Sequence, residues 1–273
     1  MKSIIIYHHL GLGDHFMCHG IIREYAKQYS HVGVFALERN YPTTAFMFRD
    51  LPNVRVIEGN DVTAKKYIAE GTTIFPDFTY DEALILGFEH LDRNSGVLLE
   101  NQFYTRAKVD IHKKWDNFHV ERDLKKEQGL FDQYAPKTPY VFLHEDTLRS
   151  YLIERKLIPT QYTIFTPNPQ MTANAFDLCT IIERASEIHV IDSSFMFMID
   201  CLSYSNPSQK LFVHRYSREN EDWKLPTLRK PWHVYWMSDH FFGFAIYLRK
   251  RLTEYKGRIR SKFFPTKKHV VIA

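Results

Sequence analysis

The sequence predicts an α/β protein built as two doubly wound, Rossmann-like domains that face each other across a cleft. Short apolar runs rich in β-branched residues alternate with helix-like segments, as in a parallel sheet covered by helices on both faces. This alternation occurs twice along the 273 residues, and the charged segment 110–137, which has no β-branched run, separates the two series. We therefore assign residues 1–135 to a first domain and residues 136–237 to a second.

The first domain begins with an apolar strand and a glycine-containing turn that leads directly into a helix. Two of its later strands are bounded by proline, asparagine or glycine, which favour turns. Helix-like segments fill the intervals between the strands. The predicted strands are 3–7, 32–37, 54–57 and 72–75, and the predicted helices are 16–27, 41–50, 63–69, 81–86, 101–108 and 120–134.

The second domain repeats this order of strands and helices. A last helix, 238–256, is capped by Ser238 and Asp239 and carries an apolar stripe that can pack on a domain surface. Residues 257–273 follow it as a basic tail. The predicted strands of this half are 140–144, 162–165, 187–191, 211–214 and 234–236, and its other predicted helices are 175–185 and 195–202.

The composition is that of a soluble globular protein, with 44% hydrophobic and 25% charged residues. Cys18, Cys179 and Cys201 form no C-x-x-C pair, which favours a reducing compartment and a packing role for the thiols. No stretch approaches the ~20 apolar residues that a membrane span needs, and no leader-like segment precedes the first strand. We therefore expect a cytoplasmic protein.

Positive charge is concentrated near the end of the chain. Between Arg249 and Lys268 there are nine lysines and arginines and one acid, Glu254, whereas the net charge of the whole chain is +4. Such a segment can contact an anionic membrane, an acidic polymer or nucleic acid. Alternatively it is a solvated helix end whose cations suit the helix dipole, and we favour this second interpretation.

The first candidate site is the turn 11–15, which reads Gly-Leu-Gly-Asp-His. Gly11 and Gly13 let a substrate approach the backbone, and Asp14 in the first helical turn can act as general base toward an acceptor hydroxyl. A carboxylate would repel a phosphate, so the turn is not a plain phosphate cradle. The alternative is that Asp14 only caps the helix.

The second candidate site is the junction after strand 187–191, where Asp192, Ser193 and Ser194 open a helix. Serine hydroxyls and the free N–H groups of a helix N-terminus suit a phosphate or diphosphate. A plain helix cap would look the same in sequence, so both interpretations stay open.

Two further segments follow strands of the second half. His144 and Arg149 come after the first of these strands. The Arg149 guanidinium could form a bidentate contact with a diphosphate, or its acidic neighbours could hold it in a surface ion pair. After the next strand, Pro167 and Asn168 could wall a nucleotide pocket or form a simple turn.

Several other chemistries lack their sequence signatures. No H-x-x-x-H pair with a helical acid and no D-x-D occurs, so we expect neither a bound metal nor a metal-chelated nucleotide. There is no G-x-x-x-x-G-K-S/T loop of a P-loop NTPase and no G-x-S-x-G elbow of an α/β-hydrolase.

Two segments carry a resemblance to a known family. Leu12-Gly13-Asp14 resembles the LGD turn of bacterial heptosyltransferases and their relatives, and segment 190–195, Val-Ile-Asp-Ser-Ser-Phe, resembles their late V-D-T/S junction. The two segments occur in the family's order, one in each half of the chain. The resemblance implies a GT-B glycosyltransferase fold, with helix 238–256 packing back on the first domain.

The resemblance also implies an activity. A divergent member of this family, from a bacterial or large-virus glycan pathway (and then in the host cytoplasm), would move a sugar from a nucleotide sugar to a glycan or other hydroxyl acceptor, inverting and without metal or further cofactor. Asp14 would be the base, and Ser193, Ser194 and Arg149 would bind the diphosphate. Residues implied around the donor nucleotide or acceptor are Gly11, Gly13, His15, His144, Pro167, Asn168 and Asp192.

Two other functions stay open. An NAD(P)-dependent oxidoreductase could use the Gly11–Gly13 turn, with Glu38 and Arg39 after the second strand holding the ribose, although the third glycine of G-x-G-x-x-G is missing. A non-catalytic nucleic-acid-binding module could use the basic tail, but clustered basic and aromatic residues on one face are lacking. We therefore expect no nucleic-acid partner.

Overall fold

The computed structural model describes residues 2–70, 80–87, 90–92, 94–218 and 224–236. Within these residues the chain is α/β, as predicted, and its strands form two parallel sheets. The predicted strand 72–75, the last helix 238–256 and the basic tail 257–273 fall outside the described residues.

The first sheet is built from the first part of the chain. Its elements and the helices that accompany them are β1 (Ser3–Tyr7), α1 (Leu12–Ala26), β2 (His31–Ala36), α2 (Tyr41–Met47), β3 (Val54–Glu58), α3 (Asp61–Glu70), β4 (Glu82–Ile85), α4 (Leu99–Arg106), α5 (Lys113–Asp116) and α6 (Leu124–Tyr134). The described strands lie in the order β3-β2-β1-β4, and each neighbouring pair is parallel.

The second sheet is built from the second part. Its elements are β5 (Tyr140–His144), β6 (Thr163–Phe165), α7 (Cys179–Arg184), β7 (Glu187–Val190), α8 (Ser194–Cys201), β8 (Lys210–His214) and β9 (Trp232–Tyr235), with a turn of 3-10 helix at Ala175–Leu178 and another at Arg215–Ser217. The strand order is β6-β5-β7-β8-β9, and again each neighbouring pair is parallel.

These strand orders locate the crevices at which parallel α/β sheets bind ligands. A crevice opens beyond the carboxyl ends of two adjacent strands whose connections leave in opposite directions. In the first sheet this switch point lies between β1 and β4, and in the second it lies between β5 and β7. The turn 11–15 follows β1, and the junction 192–194 follows β7, so both candidate sites lie at switch points.

One predicted helix is wrong. Segment 81–86 was expected to be helical, but Glu82–Ile85 forms β4, which pairs in parallel with β1 from Ile4↔Glu82 to Tyr7↔Ile85. The carboxylate of Asp81 accepts hydrogen bonds from the backbone N–H of Ser3 at 2.7 Å and from its hydroxyl at 2.9 Å, which sets the register. Glu, Ala and Leu favour a helix locally, but the unpaired edge of β1 offers a full set of backbone hydrogen bonds.

The two sheets are joined by direct helix packing. Helix α1 of the first half packs against α8 of the second, and one apolar core contains buried residues from both halves. At this junction the rings of Phe16 and Phe176 meet edge to face at 5.6 Å. The hydroxyl of Thr43 also accepts a hydrogen bond from the backbone N–H of Ala175 at 3.0 Å. The GT-B arrangement itself stays a prediction, but the starts of α1 and α8 are held close together.

Helix α6 precedes the boundary that we assigned at residue 135, yet it packs against α7. Arg122, just before α6, binds both Glu127 and Glu183, and the Thr180 hydroxyl donates a hydrogen bond to Glu127 at 2.8 Å. The contacts of α6 therefore connect it to α7 and to the 3-10 turn Ala175–Leu178 of the second part of the chain.

Two glycines give a matched test of packing. A Cβ on Gly20 would lie 2.3 Å from the Lys113 carbonyl oxygen, because α1 and α5 approach closely there, whereas a Cβ on exposed Gly129 in α6 would meet nothing within 4 Å. We expect Gly20→Ala to lower the free energy of unfolding by about 1–3 kcal/mol through overpacking. Gly129→Ala should raise it by about 0.5–1 kcal/mol, since alanine is the better helix former. Denaturant unfolding measures both; equal effects would contradict the close packing at Gly20.

Candidate functional site

The start of α1 is shaped by two glycines. Gly11 is the N-cap residue, and its carbonyl accepts the N–H groups of Asp14 at 3.0 Å and His15 at 3.2 Å. A Cβ on Gly11 would lie 2.6 Å from Asp14 Oδ2, so the carboxylate folds back over this glycine. A Cβ on Gly13 would lie 3.3 Å from the Phe197 ring and 3.9 Å from Ser194 Cα. Glycine at position 13 therefore allows the starts of α1 and α8 to approach closely.

Asp14 lies where the starts of α1 and α8 approach each other, and its half-buried side chain is 16% exposed. Burial raises the pKa of Asp14 to about 7, although a hydrogen bond from its own backbone N–H acts in the opposite direction. Its Oδ1 lies 3.8 Å from His9 Nδ1. A carboxyl group that titrates near neutral pH can exchange a proton during a reaction, which a simple helix cap with an ordinary pKa does not do at this pH.

His15 lies beneath the turn rather than on its open side. Its ring is buried and meets the buried ring of His8 edge to face at 4.6 Å. Burial lowers the pKa of His8 to about 4 and that of His15 well below its ordinary value, so both rings are neutral at pH 7. Among the described residues neither ring nitrogen of His15 has a hydrogen-bond partner. Its predicted contact with donor or acceptor stays a prediction.

The start of α8 is left open by its own N-cap residue. Ser193 has extended backbone angles, φ −148° and ψ 176°, and its side chain makes no capping hydrogen bond. Its hydroxyl instead lies 3.1 Å from His144 Nδ1. The Ser193 hydroxyl therefore accepts no hydrogen bond from the N–H groups of the first turn. An anion-binding helix N-terminus requires such N–H groups to be available.

His144 connects the two strands of the second switch point. It ends β5, and it contacts Ser193 together with the Phe195 ring at a centroid distance of 4.4 Å. Burial lowers the pKa of His144 to about 4, so the ring is neutral at pH 7. The neutral ring places the Ser193 hydroxyl at the helix start.

Asp192 is supported by two arginines that the sequence analysis missed. Arg215 Nη1 donates to Asp192 Oδ2 at 2.7 Å, and Arg218 Nη1 donates to the Asp192 carbonyl. All three residues are buried. Burial raises the pKa of Asp192, while the two guanidinium groups oppose that rise. Both arginines follow β8, the strand beside β7, and two arginines directly after a buried strand are the signal that could have found them.

The other predicted residues lie in loops with local contacts. Arg149 has a side chain that is 64% exposed, and its Nε donates to Asp146 Oδ2 at 2.7 Å. This matches the surface ion pair that was the alternative interpretation. Asn168 is exposed and closes a turn, in which its Oδ1 accepts the N–H of Gln170 at 2.9 Å, directly after Pro167. This corresponds to the simple-turn alternative, and a role in binding stays a prediction for all three residues: Arg149, Pro167 and Asn168.

A surface groove lies at the other end of the first sheet. It has a volume of about 470 Å³ and is lined by Tyr41, Phe48, Arg49, Arg55 and Tyr80, among others. It surrounds the amino end of β3, which is the opposite end of the sheet from Asp14. The groove is therefore separate from the switch-point site.

Among the described residues, no group of three or more His, Cys, Asp and Glu side chains could hold a metal ion. No helix in the described part of the chain is both long and apolar enough to cross a bilayer.

Comparisons with known proteins add a structural resemblance. No protein-family model matches the chain, and no curated protein matches its sequence. Among solved structures, the chain is similar to the bacterial iron-containing dodecameric glycosyltransferase TibC from enterotoxigenic E. coli H10407, at 13% identity and a TM-score of 0.43. The match covers 77% of this chain and 57% of TibC, so the chain spans a little over half of that protein's length.

Proposed function

We propose that the protein is a glycosyltransferase that moves a sugar from a nucleotide-sugar donor to a hydroxyl group of a glycan or other acceptor, with inversion and without a metal. One observation carries this proposal. The starts of α1 and α8 come together, with a Cβ on Gly13 only 3.9 Å from Ser194 Cα, so that an acid and an open helix N-terminus share one region. Each belongs to a switch point of its own sheet.

The α8 side suits the leaving group. When the sugar leaves its donor, negative charge develops on the nucleoside diphosphate, and fixed N–H dipoles can stabilise that charge. The first-turn N–H groups of α8 and the hydroxyls of Ser193 and Ser194 would bind the diphosphate. Arg215 and Arg218 hold the junction through Asp192, and the guanidinium charges would add to the positive potential there.

The α1 side suits the acceptor. Asp14 would remove the proton of the acceptor hydroxyl as its oxygen bonds to the anomeric carbon from the side opposite the diphosphate, which gives inversion. A pKa of about 7 means that a large fraction of Asp14 is ionised at neutral pH and is still basic enough to accept the proton. The acidic group over Gly11 also disfavours the NAD(P) alternative, because it lies where a pyrophosphate would approach the turn.

The remaining parts of the proposal concern partners and location. The nucleotide sugar would be a co-substrate, with no further cofactor. The tail 257–273, outside the described residues, would supply any peripheral contact with a membrane or acidic polymer. The proposed location is the cytoplasm, where nucleotide sugars would be present as donors.

A thermal-shift screen separates the candidate functions. A nucleoside diphosphate at 100 times its Kd should stabilise the protein by roughly 2.7 kcal/mol, which is seen as a clear rise in Tm. Stabilisation by NAD(P) alone would favour the oxidoreductase, and stabilisation by an oligonucleotide alone would favour the nucleic-acid module. Either of those outcomes would overturn the proposal.

Two pairs of variants test the diphosphate site. Ser194→Ala at the start of α8 should weaken nucleoside diphosphate binding by roughly tenfold, the effect of losing a hydrogen bond to a charged group of about 1.4 kcal/mol. Ser203→Ala, an exposed serine just past the other end of the helix, should leave the affinity unchanged. For the proposed role of Arg149, Arg149→Ala should weaken binding while Arg155→Ala, another exposed arginine with a carboxylate partner, should not. Isothermal calorimetry measures all four, and equal affinities would place the diphosphate elsewhere.

A further inference from the structure

His9 occupies the first switch point together with Asp14. It follows β1, and its ring lies against the segment after β4, where a Cβ on Gly87 would come within 2.6 Å of the imidazole. The ring of Phe103 supports it edge to face at 5.8 Å. Any larger side chain at position 87 would displace the imidazole, so both strands of the switch point contribute to its position.

The His9–Asp14 pair is accessible, in contrast to its surroundings. The side chain of His9 is 26% exposed and that of Asp14 is 16% exposed, with 3.8 Å between Nδ1 and Oδ1. This separation exceeds a direct hydrogen bond, so a proton would pass between the two groups through one bridging water.

Three titratable groups packed near this pair, His8, His15 and Cys18, are neutral at pH 7. Burial lowers the pKa values of His8 and His15, and it raises the pKa of the Cys18 thiol, one turn along α1 from Asp14. None of these three groups can take up or release a proton easily near pH 7. Among them, His9 is therefore the group placed to exchange a proton with Asp14.

We propose that His9 receives the proton that Asp14 takes from the acceptor and passes it to solvent, which returns Asp14 to its basic form after each transfer. This inference rests on the proposed function. The acceptor oxygen bonds to the anomeric carbon and gives its proton to Asp14, while the bond from that carbon to the diphosphate breaks and its electron pair leaves with the diphosphate. The proton then moves from Asp14 to His9 Nδ1, and the exposed imidazolium releases a proton to water. His9 acts through Asp14 and is a positioning residue.

His9→Gln tests this role, because glutamine is polar and of similar length but does not titrate. We expect kcat to fall by about tenfold, less than the ~10²–10⁴ expected when a base itself is removed. The acidic limb of the pH–rate profile should become shallower, because the relay works only when both Asp14 and His9 are unprotonated, whereas in the variant only Asp14 has to be unprotonated. Added imidazole should restore part of the rate.

The matched control is His119→Gln. His119 is exposed and lies 3.9 Å from the Asp50 carboxylate, so it has the same pairing outside the site. This variant should keep the wild-type kcat and pH profile. A second readout is independent of activity: carbon NMR should show the Asp14 carboxyl group titrating as one of two coupled groups in the wild type and as a single isolated group in His9→Gln.

The outcomes separate the inference from the proposed function. If His9→Gln keeps the wild-type pH profile and Asp14 titration while Asp14→Asn is inactive, the role of His9 is overturned and the proposed function stands. If Asp14→Asn transfers sugar at the wild-type rate, the proposed function fails, whatever His9→Gln does.

Discussion

Asp14→Asn is expected to reduce sugar transfer by about 10²–10⁴-fold, the contribution of a positioned general base. Asparagine has nearly the same shape, so the contact with Gly11 and the packing of Gly13 on Phe197 are preserved, but the amide cannot accept the acceptor's proton. The nucleoside diphosphate affinity should stay close to the wild-type value, because the diphosphate is bound at α8. Single-turnover transfer and calorimetric binding measure the two effects separately.

The same variant has a stability signature with a defined sign. Burial raises the pKa of Asp14 in the folded protein to about 7, from an ordinary value of 3.8. As the pH rises from about 4 to about 7, the unfolded chain releases this proton before the folded chain does, so the folded state loses stability relative to the unfolded state. Asparagine does not titrate. Asp14→Asn should therefore be at least as stable as the wild type at pH 8, with the difference developing between pH 4 and pH 7.

A control comes from another acid in a first helical turn. Asp61 opens α3 and accepts a hydrogen bond from the Tyr7 hydroxyl at 2.8 Å. Asp61→Asn keeps an acceptor for this bond, so its transfer rate should match the wild type. Wild-type turnover in Asp14→Asn would exclude Asp14 as the base.

Lys114→Met is expected to lower the free energy of unfolding by about 3–5 kcal/mol, the cost of leaving one member of a buried ion pair without its partner. Lys114 and Glu100 are each at most 1% exposed, and their Nζ and Oε2 atoms lie 2.5 Å apart. The backbone of Thr227 completes the network, donating to Glu100 at 2.8 Å and accepting from Lys114 at 3.0 Å. Denaturant unfolding measures the loss.

Two comparisons make the Lys114 result interpretable. Lys2→Met removes an exposed pair with Glu82, whose N–O distance of 2.6 Å is nearly the same, and should change the free energy of unfolding much less than Lys114→Met does. The double variant Lys114→Met, Glu100→Leu removes both buried charges and should recover part of the stability that the single variant loses. A loss below 1 kcal/mol in Lys114→Met would mean that the pair does not stabilise the junction of α4 with segment 224–236.

Much of the site could be predicted because its pattern is local. Gly11, Gly13 and Asp14 follow one strand and start one helix, and Ser193 and Ser194 do the same in the second half. A short apolar run followed by such residues predicts a strand-to-helix junction without knowledge of any distant contact. Parallel strands then place both junctions at the carboxyl ends of their sheets.

The residues that sequence reasoning missed depend on distant partners. Arg215 binds Asp192 across the β7–β8 pair, and His9 is positioned by Gly87 after β4. The neighbouring sequence shows that Arg215 follows a buried strand, but it does not show that the guanidinium reaches Asp192. The ion pair of Arg149 with Asp146 could not be decided from the sequence either, since only the folded loop shows which carboxylate lies within reach.

The amino-acid order alone was sufficient for the α/β class, the two series of strands and the two glycine- and serine-containing helix starts, because strand and helix periodicity and capping chemistry act over a few residues. Tertiary folding decided that 82–85 is a strand, that α6 packs against α7, and that the start of α1 meets the start of α8. Those outcomes depend on which surfaces bury each other and on which backbone edge needs a partner, and the responsible residues lie far apart in the chain.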